Sequence, residues 1–252
     1  MINKNTLGII MAAGEGKRMG LADINKTALK IGEKSLVALG VEKLLDVCSQ
    51  IVIVVGKNKD SVIAATSDYE EKLTYVEQEN RLGTAHATNV AVKSLGAKMH
   101  DFTDVIVGGG DHMYAYRPSS FRDLVLARSE KNIAISMVTT ISENISAFGW
   151  GRIIRDSSGN VTEIVEQKNC TPKQLLIKEG NATLYDFDSQ FLVDNIDNVK
   201  KNSLTGEYYL TDLVAIAVSL EKRVKALVLP FDEVGSGVNS QIDYENALKK
   251  YS

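Results

Sequence analysis

The 252-residue sequence predicts an α/β fold, with a doubly wound, mostly parallel sheet and a second half of mixed character. Short β-branched runs alternate with longer helical patterns through the first half, which indicates βαβ units. The run at residues 51–55 is apolar throughout, as in a strand buried on both faces of a parallel sheet. Beyond residue 112 the alternation gives way to short strands joined by tight turns.

The elements of the first half follow from these patterns in order. Short apolar runs predict strands at residues 7–12, 51–55, 73–77 and 104–107. Apolar stripes at helical spacing predict helices at residues 35–47, about 59–66 and 85–95.

The second half is predicted to mix strands and helices. Its strands are expected at residues 134–140, 151–155, 161–165, 182–187 and 225–229, with a tight turn at 156–160. Its helices are expected at about 190–200, at 207–220 and at the C-terminus. Because the chain has three prolines and no break in composition, we expect a single domain over residues 1–252.

Composition and charge exclude several classes of function. A net charge of −3 and a pI of about 5.7 argue against a nucleic-acid backbone as the main partner. No apolar run is long enough to span a membrane. Cys48 and Cys170 have no CxxC spacing, so we expect neither a disulfide nor a metal site from them. The cytoplasm is therefore the expected location, and the sequence leaves the oligomeric state open.

A glycine-rich turn, AAGEGKRMG at residues 12–20, follows the first predicted strand. Backbone N–H groups in such a turn can surround phosphate oxygens. The turn is not a Walker loop, because no GxxxxGK[ST] run exists. A dinucleotide-binding GxGxxG would need glycine at residue 19, where Met19 stands, and the second strand lacks the expected acidic end. Lys17, Arg18 and Lys26 place three cations around the turn, which suits a triphosphate.

The run AAGEGKRM with Lys26 downstream resembles the sugar nucleotidyltransferase superfamily. Seven further segments resemble, in order, the uridylyltransferase domain of bacterial N-acetylglucosamine-1-phosphate uridylyltransferase. These segments are QENRLGTAHA (78–87), GD (110–111), GWGRI (149–153), IVEQK (164–168), EGN (179–181), GEYYLTD (206–212) and GVN (237–239). The resemblance implies a Rossmann-like nucleotidyltransferase fold, with residues 1–112 binding a nucleotide and residues 113–252 covering a sugar site.

The resemblance also implies a role for each matched residue. The implied catalytic residues are Arg18 and Lys26, and the implied Mg²⁺ ligands are Asp111 and Asn239. The implied nucleotide-binding residues are Ala12, Ala13, Gly14, Gly16, Gln78, Gly83 and Thr84. The implied sugar-binding residues are Gly151, Glu166, Asn181 and Thr211. One carboxylate and one amide oxygen, completed by phosphates, form a reasonable Mg²⁺ site.

The implied reaction joins a nucleoside monophosphate to a sugar 1-phosphate by in-line attack on the α-phosphorus of a nucleoside triphosphate. We expect UTP and N-acetylglucosamine 1-phosphate to be the best pair. A glutamine amide such as Gln78 can donate to a uracil carbonyl and accept from the ring N–H. The alternatives are another sugar 1-phosphate, another base (dTTP, CTP or GTP), or a non-catalytic module that binds nucleotide sugars.

The sequence departs from the family pattern at three places. Asn25 replaces the proline before the motif lysine, GGDHMY at 109–114 replaces YGDxPL, and NATL at 181–184 replaces NTGI. Because two departures lie near the sugar side, they put the sugar in doubt rather than the reaction. With no hexapeptide repeats in this sequence, we expect no acetyltransferase activity.

Three side chains carry further expectations. We expect His86 to be structural and leave His112 open, because attack by an already ionised phosphate needs no base. Lys26 lies in a predicted polar loop, where truncation usually changes stability by less than ~0.5 kcal/mol.

Overall fold

A computed structural model describes residues 5–14 and 16–251, except for the side chain of Lys17. The strands within these residues are β1 (Thr6–Ala12), β2 (Lys30–Ile31), β3 (Lys34–Ser35), β4 (Gln50–Val55), β5 (Leu73–Glu77), β6 (Asp104–Gly109), β7 (Ile133–Ile141), β8 (Arg152–Arg155), β9 (Val161–Val165), β10 (Glu179–Asp188) and β11 (Arg223–Val228). The helices are α1 (Leu36–Leu45), α2 (Lys59–Ala65), α3 (Thr84–Leu95), α4 (Pro118–Arg128), α5 (Pro172–Leu175), α6 (Ser189–Asn195), α7 (Asp212–Ser219), α8 (Phe231–Val234) and α9 (Gln241–Tyr251).

The central sheet confirms the predicted fold class. Its main path runs β11-β7-β10-β6-β1-β4-β5. Every neighbouring pair on this path is parallel except the two pairs made by β10, which runs antiparallel to β6 and β7. A hairpin of β8 and β9 is attached to β10 where Gly180 pairs with Arg152. The sheet is therefore mostly parallel, with its mixed part in the second half.

Both faces of the sheet are buried, as continuous apolar strands predict. Along β1, Leu7 and Ile9 belong to one apolar cluster, whereas Ile10 belongs to the cluster on the other face. Helices α3, α6 and α7 cover the first face, and α1, α2 and α4 cover the second. Full burial of an Ile or Leu side chain contributes about 1.5–3 kcal/mol, so this double layer supplies much of the stability that holds the site.

Several helices differ from their prediction. The short helices α5 and α8 were not predicted, and α6 ends at Asn195 rather than near residue 200. Helix α4 was not predicted, although Pro118 at its first turn is a helix-start signal. Phe121 and Leu124 are buried, but the neighbouring apolar residue Leu126 is 59% exposed, so the apolar residues do not form a single stripe. Helix α7 starts at Asp212 instead of residue 207, because the N–H groups of Tyr208 and Leu210 donate to Leu82 and Thr84.

None of the helices in the described part of the chain is long and apolar enough to cross a membrane.

Candidate active site

A cavity of about 480 Å³ lies at the C-terminal ends of β1 and β6. Open α/β sheets generally place their ligands at this edge. The cavity gathers residues from both halves of the chain. The predicted site residues on its wall are Ala13, Gly14, Arg18, Lys26, Gln78, Gly83, Thr84, Asp111, Gly151, Glu166, Asn181, Thr211 and Asn239.

The centre of the cavity is a cluster of charged and amide groups. The Lys26 ammonium forms an ion pair with Asp111 and donates a hydrogen bond to Oδ1 of Asn239 over 2.8 Å. Arg18 donates to the same oxygen over 3.3 Å. Burial raises the pKa of Asp111, but the charge and hydrogen bond of Lys26 outweigh it, so the pKa lies below its ordinary value. Asp111 is therefore a carboxylate at neutral pH.

The side chain of Asn25 ties Lys26 to the glycine-rich turn. Asn25 is 1% exposed and caps a 3₁₀ turn at Lys26–Ala28, where its Oδ1 accepts from the N–H and hydroxyl of Thr27. Its Nδ2 donates to the carbonyls of Ala12 and Gly14 over 2.9 and 3.2 Å. This departure from the family pattern therefore replaces the rigidity of proline with four hydrogen bonds.

Asp111 is positioned by a run of three glycines and by the segment that carries Asn239. A Cβ on Gly109 would lie 2.8 Å from Oδ1 of Asp111, so only glycine leaves the carboxylate where it is. The carbonyl of Asp111 accepts from Val238 N over 2.9 Å. The next residue, Asn239, has its N–H bound to the Asp243 carboxylate at the start of α9 over 3.1 Å. These hydrogen bonds thus hold Asp111 and Asn239, which are distant in sequence, at a fixed distance from each other.

One end of the cavity presents the Gln78 amide. Gln78 is 4% exposed, and its Nε2 donates to Gly83 O over 3.2 Å and to His86 Nδ1 over 2.8 Å. Burial, and then the charge of Lys93, lowers the pKa of His86, so the imidazole is neutral and can accept. The Gly83 carbonyl can only accept a hydrogen bond, so the amide nitrogen of Gln78, and not its oxygen, must face it. Both amide hydrogens are therefore used, and only Oε1 can meet a ligand.

This corrects the expectation that Gln78 donates to a base and accepts from it at once. His86 accepts a hydrogen bond from the Gln78 amide and does not line the cavity, which agrees with the structural role expected for it.

The loop beside Gln78 is held by the segment that precedes α7. Tyr208 N donates to Leu82 O over 2.6 Å, and its carbonyl accepts from Ala85 N over 2.9 Å. Leu210 N donates to the Thr84 hydroxyl over 2.9 Å. Gly83 has φ 104°, and a Cβ there would lie 2.5 Å from Tyr208 O. The two halves of the chain are therefore joined at this end of the cavity through backbone groups, and glycine is required at the joint.

The opposite end carries the predicted sugar-side residues. Oε1 of Glu166 accepts from the Thr211 hydroxyl over 3.0 Å. Burial raises the pKa of Glu166 above its ordinary value, against the opposing effect of the Thr211 hydrogen bond. Asn181 is 4% exposed, and its N–H donates to the carbonyl of Gly151 over 2.9 Å. These side chains offer acceptors and donors to a hydroxylated ligand.

An aromatic wall closes this end. The His112 ring lies 5.2 Å from the Tyr116 ring and 5.5 Å from the Trp150 ring, and Phe148 continues the stack 5.2 Å beyond Trp150. Nε2 of His112 donates to the carbonyl of Val234 over 3.1 Å. Burial lowers the pKa of His112, so the ring is neutral and packs against its aromatic neighbours.

Some predicted residues lie elsewhere. Ala12 is 1% exposed and is not on the cavity wall, so its place is behind the turn, where its carbonyl accepts from Asn25. Gly16 lines an adjoining cleft that shares Arg18 and Lys26 with the cavity. The side chain of Lys17 lies outside the described part of the structure.

Other residues of the wall were not predicted from the sequence. Those not predicted include Arg81, Phe148, Trp150, Thr183 and Glu207. Arg81 and Glu207 lie inside matched segments, which was the available signal for them.

Comparison with known proteins shows the family to which the chain is similar. The sequence model of the family described as nucleotidyl transferase matches residues 7–236. The chain is 33% identical to the bifunctional protein GlmU of Clostridium acetobutylicum over 235 residues, which cover 93% of this chain and 49% of that protein. It is 35% identical to GlmU of Clostridium kluyveri over 243 residues, which cover 96% of this chain and 51% of that protein. The chain thus spans about half the length of the curated relatives it matches.

Solved structures show the same fold. A UDP-glucose pyrophosphorylase complexed with UDP-glucose matches with a TM-score of 0.77 and 18% identity, over 98% of both chains. A Bacillus anthracis protein, assigned as a glucose-1-phosphate thymidylyltransferase and crystallised with sucrose, matches with a TM-score of 0.74 and 19% identity, over 97% of this chain and 94% of that one.

Proposed function

Because the chain belongs to the nucleotidyl transferase family and is a nucleotidyltransferase enzyme, we propose that it transfers UMP from UTP to N-acetylglucosamine 1-phosphate, with release of pyrophosphate. One observation carries the proposal. A single cavity has the Lys26–Asp111–Asn239 cluster at its centre, Gln78 at one end, and Glu166 near the other. Two anionic substrates can therefore meet at a cationic centre.

The orientation of Gln78 favours a uracil or thymine base over cytosine. Its free Oε1 is an acceptor, and the N3–H of uracil is a donor at the Watson–Crick edge. Cytosine presents a lone pair at N3, so the same approach would set two acceptors against each other. A mismatch of this kind costs about 1–3 kcal/mol, or about 5–150-fold. Thymine has the same edge as uracil, so dTTP is the second candidate nucleotide.

The relatives support the sugar half of the proposal, and the aromatic wall is compatible with it. The two GlmU proteins are similar to this chain over more than nine-tenths of its length. Glu166 and Asn181 provide polar contacts for ring hydroxyls or an amide, and Trp150 provides an apolar surface beside them. Sugar rings commonly require this combination of polar and apolar contacts.

The donor set at the centre fits a divalent cation that is completed by substrate. The described residues contain no group of three or more His, Cys, Asp or Glu that could hold a metal ion. Asp111 and Asn239 offer one carboxylate and one amide oxygen, and Mg²⁺ is often held by few protein ligands together with phosphates. We therefore assign these two residues to Mg²⁺, which would neutralise charge on the triphosphate when bound.

The chain's own residues then act by position and charge. In the structure Lys26 is paired with Asp111, and an arriving phosphate offers it a competing anion. Arg18 and Lys26 draw the phosphates of both substrates to one place and stabilise the charge that develops as the attacking oxygen approaches the α-phosphorus. No side chain needs to accept a proton, because the sugar phosphate is already ionised. We place the reaction in the cytoplasm because nucleoside triphosphates are made and used there.

A pyrophosphate-release assay tests the proposal. Purified protein with MgCl₂ is offered UTP, dTTP, CTP and GTP, each with N-acetylglucosamine 1-phosphate and with glucose 1-phosphate. We expect the highest kcat/KM for UTP with N-acetylglucosamine 1-phosphate and the next highest for dTTP. A preference for CTP or GTP would refute the assignment of Gln78. A preference for glucose 1-phosphate with UTP would refute only the sugar, and no release with any pair would refute the reaction.

A further inference from the structure

Thr183 has a backbone conformation that its side chain disfavours. Its φ is 54°, in the left-handed region, where a β-branched residue is a genuine outlier. The other non-glycine residues with positive φ in the described chain are Asn58, Asn132 and Glu221. Asparagine tolerates this region and Glu221 is unbranched at Cβ, so Thr183 is the most strained residue of this group. The family pattern NTGI, compared with NATL here, has glycine at this position.

The strain arises from an irregularity in β10. The pairing of β10 with β7 shifts register between Asn181 and Tyr185, which marks a bulge. Ala182 and Leu184, on either side of Thr183, are fully buried in the apolar layer on the face away from the cavity. Asn181, Thr183 and Tyr185 line the cavity. The alternation of side chains along β10 therefore places Thr183 on the cavity side, between Asn181 and Tyr185.

The Thr183 side chain contributes no hydrogen bond to the fold. Its backbone N–H donates to Oδ1 of Asn181 over 3.3 Å, and this bond would persist with any residue at the position. No intramolecular hydrogen bond of its hydroxyl is found in the part of the chain that the structure describes. Glycine would relieve the strain at no loss of hydrogen bonds. Strained residues of this kind cluster where a side chain serves a ligand.

We propose that Thr183 is a specificity-determining residue, whose hydroxyl hydrogen-bonds a polar ring substituent of the sugar phosphate beside Asn181. The proposal rests on the function proposed above for the location of the sugar. It adds a contact that the glycine of the family pattern cannot make. We expect no contact between Thr183 and the base, because Gln78 and Gly83 follow β5, and β4, β1 and β6 lie between β5 and β10 in the sheet.

The test compares three variants by isothermal titration with nucleotide-sugar and nucleotide probes. Thr183→Gly removes the hydroxyl and the strain, and Thr183→Ser restores the hydroxyl without β-branching. Glu221→Gly is the matched control, because Glu221 has φ 56° at an exposed turn after α7 and is not on the cavity wall. The probes are UDP-N-acetylglucosamine, UDP-glucose and UDP, and thermal unfolding of each variant is followed in parallel.

We expect Thr183→Gly to weaken whichever nucleotide sugar the wild type binds more tightly by about five- to tenfold, while UDP binds as before. The Tm of this variant should not fall, because the strain is released. Thr183→Ser should bind within about twofold of wild type, and Glu221→Gly should change neither affinity. Unchanged affinity of Thr183→Gly for the nucleotide sugar would overturn the inference. An equal loss of affinity for UDP would also overturn it. So would a Thr183→Ser variant that binds the nucleotide sugar as weakly as Thr183→Gly.

The outcomes also separate this inference from the proposed reaction. If wild-type protein releases no pyrophosphate but the contrast between Thr183→Gly and Thr183→Ser persists in binding, the reaction fails and the contact stands. If wild-type protein turns over and Thr183→Gly is indistinguishable from it, the contact fails and the reaction stands. A wild type that binds neither nucleotide sugar more tightly than UDP overturns the contact, since its sugar then adds nothing to the binding.

Discussion

At the scale of single residues, Lys26 is a proposed catalytic residue that also forms an ion pair with Asp111. A lysine in a polar loop was expected to be nearly neutral for stability, but the Lys26 side chain is 12% exposed and the paired Asp111 side chain 18% exposed. Removing the ammonium leaves a buried carboxylate without its partner, which is costly. The exposed position on which that expectation rests is therefore not what the structure shows, and we expect a larger effect on stability.

We expect Lys26→Met to lower kcat/KM by about 10²–10³-fold, since a charge-assisted contact in the transition state contributes about 2–4 kcal/mol. The variant should also unfold more easily, by about 1–3 kcal/mol, because of the unpaired Asp111. The double variant Lys26→Met/Asp111→Asn is the control: it should recover stability and remain inactive. Steady-state kinetics and urea unfolding measure both effects. A single variant with wild-type turnover would show that Lys26 is only structural.

The predicted cation ligands make a separate prediction. Asp111→Asn or Asn239→Ala should raise the MgCl₂ concentration for half-maximal activity by about 10–100-fold, a loss that removal of even an outer partner can cause. Asn198→Ala, an exposed asparagine beyond α6, is the matched control and should leave the Mg²⁺ dependence unchanged. Activity is measured as a function of MgCl₂ at saturating substrates. Either variant with a wild-type Mg²⁺ titration would remove that residue from the metal site.

At the scale of elements, the turn after β6 determines where the Asp111 carboxylate lies. We expect Gly109→Ala to fold normally, because its Cβ would meet the Asp111 side-chain oxygen and no backbone atom at under 3.0 Å. The displaced carboxylate should lower kcat by at least about tenfold, as small misplacements of catalytic groups do. Gly159→Ala should show the reverse, with lower Tm and normal kcat. Gly159 has φ 83° in the β8–β9 turn, with nothing within 4 Å of its Cβ. Normal kcat in Gly109→Ala would contradict this account of the turn.

Elements with a strong local pattern were predictable from the sequence. The core strand β4, predicted at residues 51–55, occupies Gln50–Val55, and α3, predicted at 85–95, occupies Thr84–Leu95. The start of α7 was not predictable, since residues 207–211 carry a helical pattern but Tyr208 bonds to Leu82 and Ala85. Those partners lie more than a hundred positions away, and no local pattern records them. Tertiary hydrogen bonds outweighed propensity in this segment.

The same limit applies to the site. Thirteen of the residues predicted from the motifs share the cavity wall, but the motifs could not give the orientation of their side chains. The orientation of the Gln78 amide depends on a carbonyl and a ring on two further residues, and the strain at Thr183 depends on a register shift between two strands. Both features are properties of the packed sheet rather than of any segment.

At the scale of the whole molecule, the sheet has a second buried charged cluster at the edge opposite the cavity. Asp186 lies in β10 opposite Ile106 of β6, and it is fully buried. Asp104 at the start of β6 forms an ion pair with Arg128 at the end of α4, and Arg128 reaches Asp188 over 3.3 Å. The single positive charge of Arg128 therefore faces three carboxyl groups, so acidic groups are in excess in this cluster.

This cluster makes stability depend on pH in a defined direction. Burial, and then the charge of Asp104, raises the pKa of Asp186 well above its ordinary value, against the smaller opposing effect of Arg128. Because the folded state holds this proton more tightly than the unfolded chain, the contribution of Asp186 is fully present below the unfolded pKa of about 4 and is lost as pH rises through the folded pKa. Over that window the free energy of unfolding should fall by about 1.4 kcal/mol per pH unit.

Asp186→Asn should remove this slope and equal or exceed the wild type in stability at pH 7. Asp46→Asn is the control, because Asp46 is in an exposed ion pair with Arg122, and it should follow the wild-type curve. Urea unfolding of the three proteins between pH 5 and 8 measures the difference, and parallel curves for wild type and Asp186→Asn would show that Asp186 does not bind its proton more tightly in the fold.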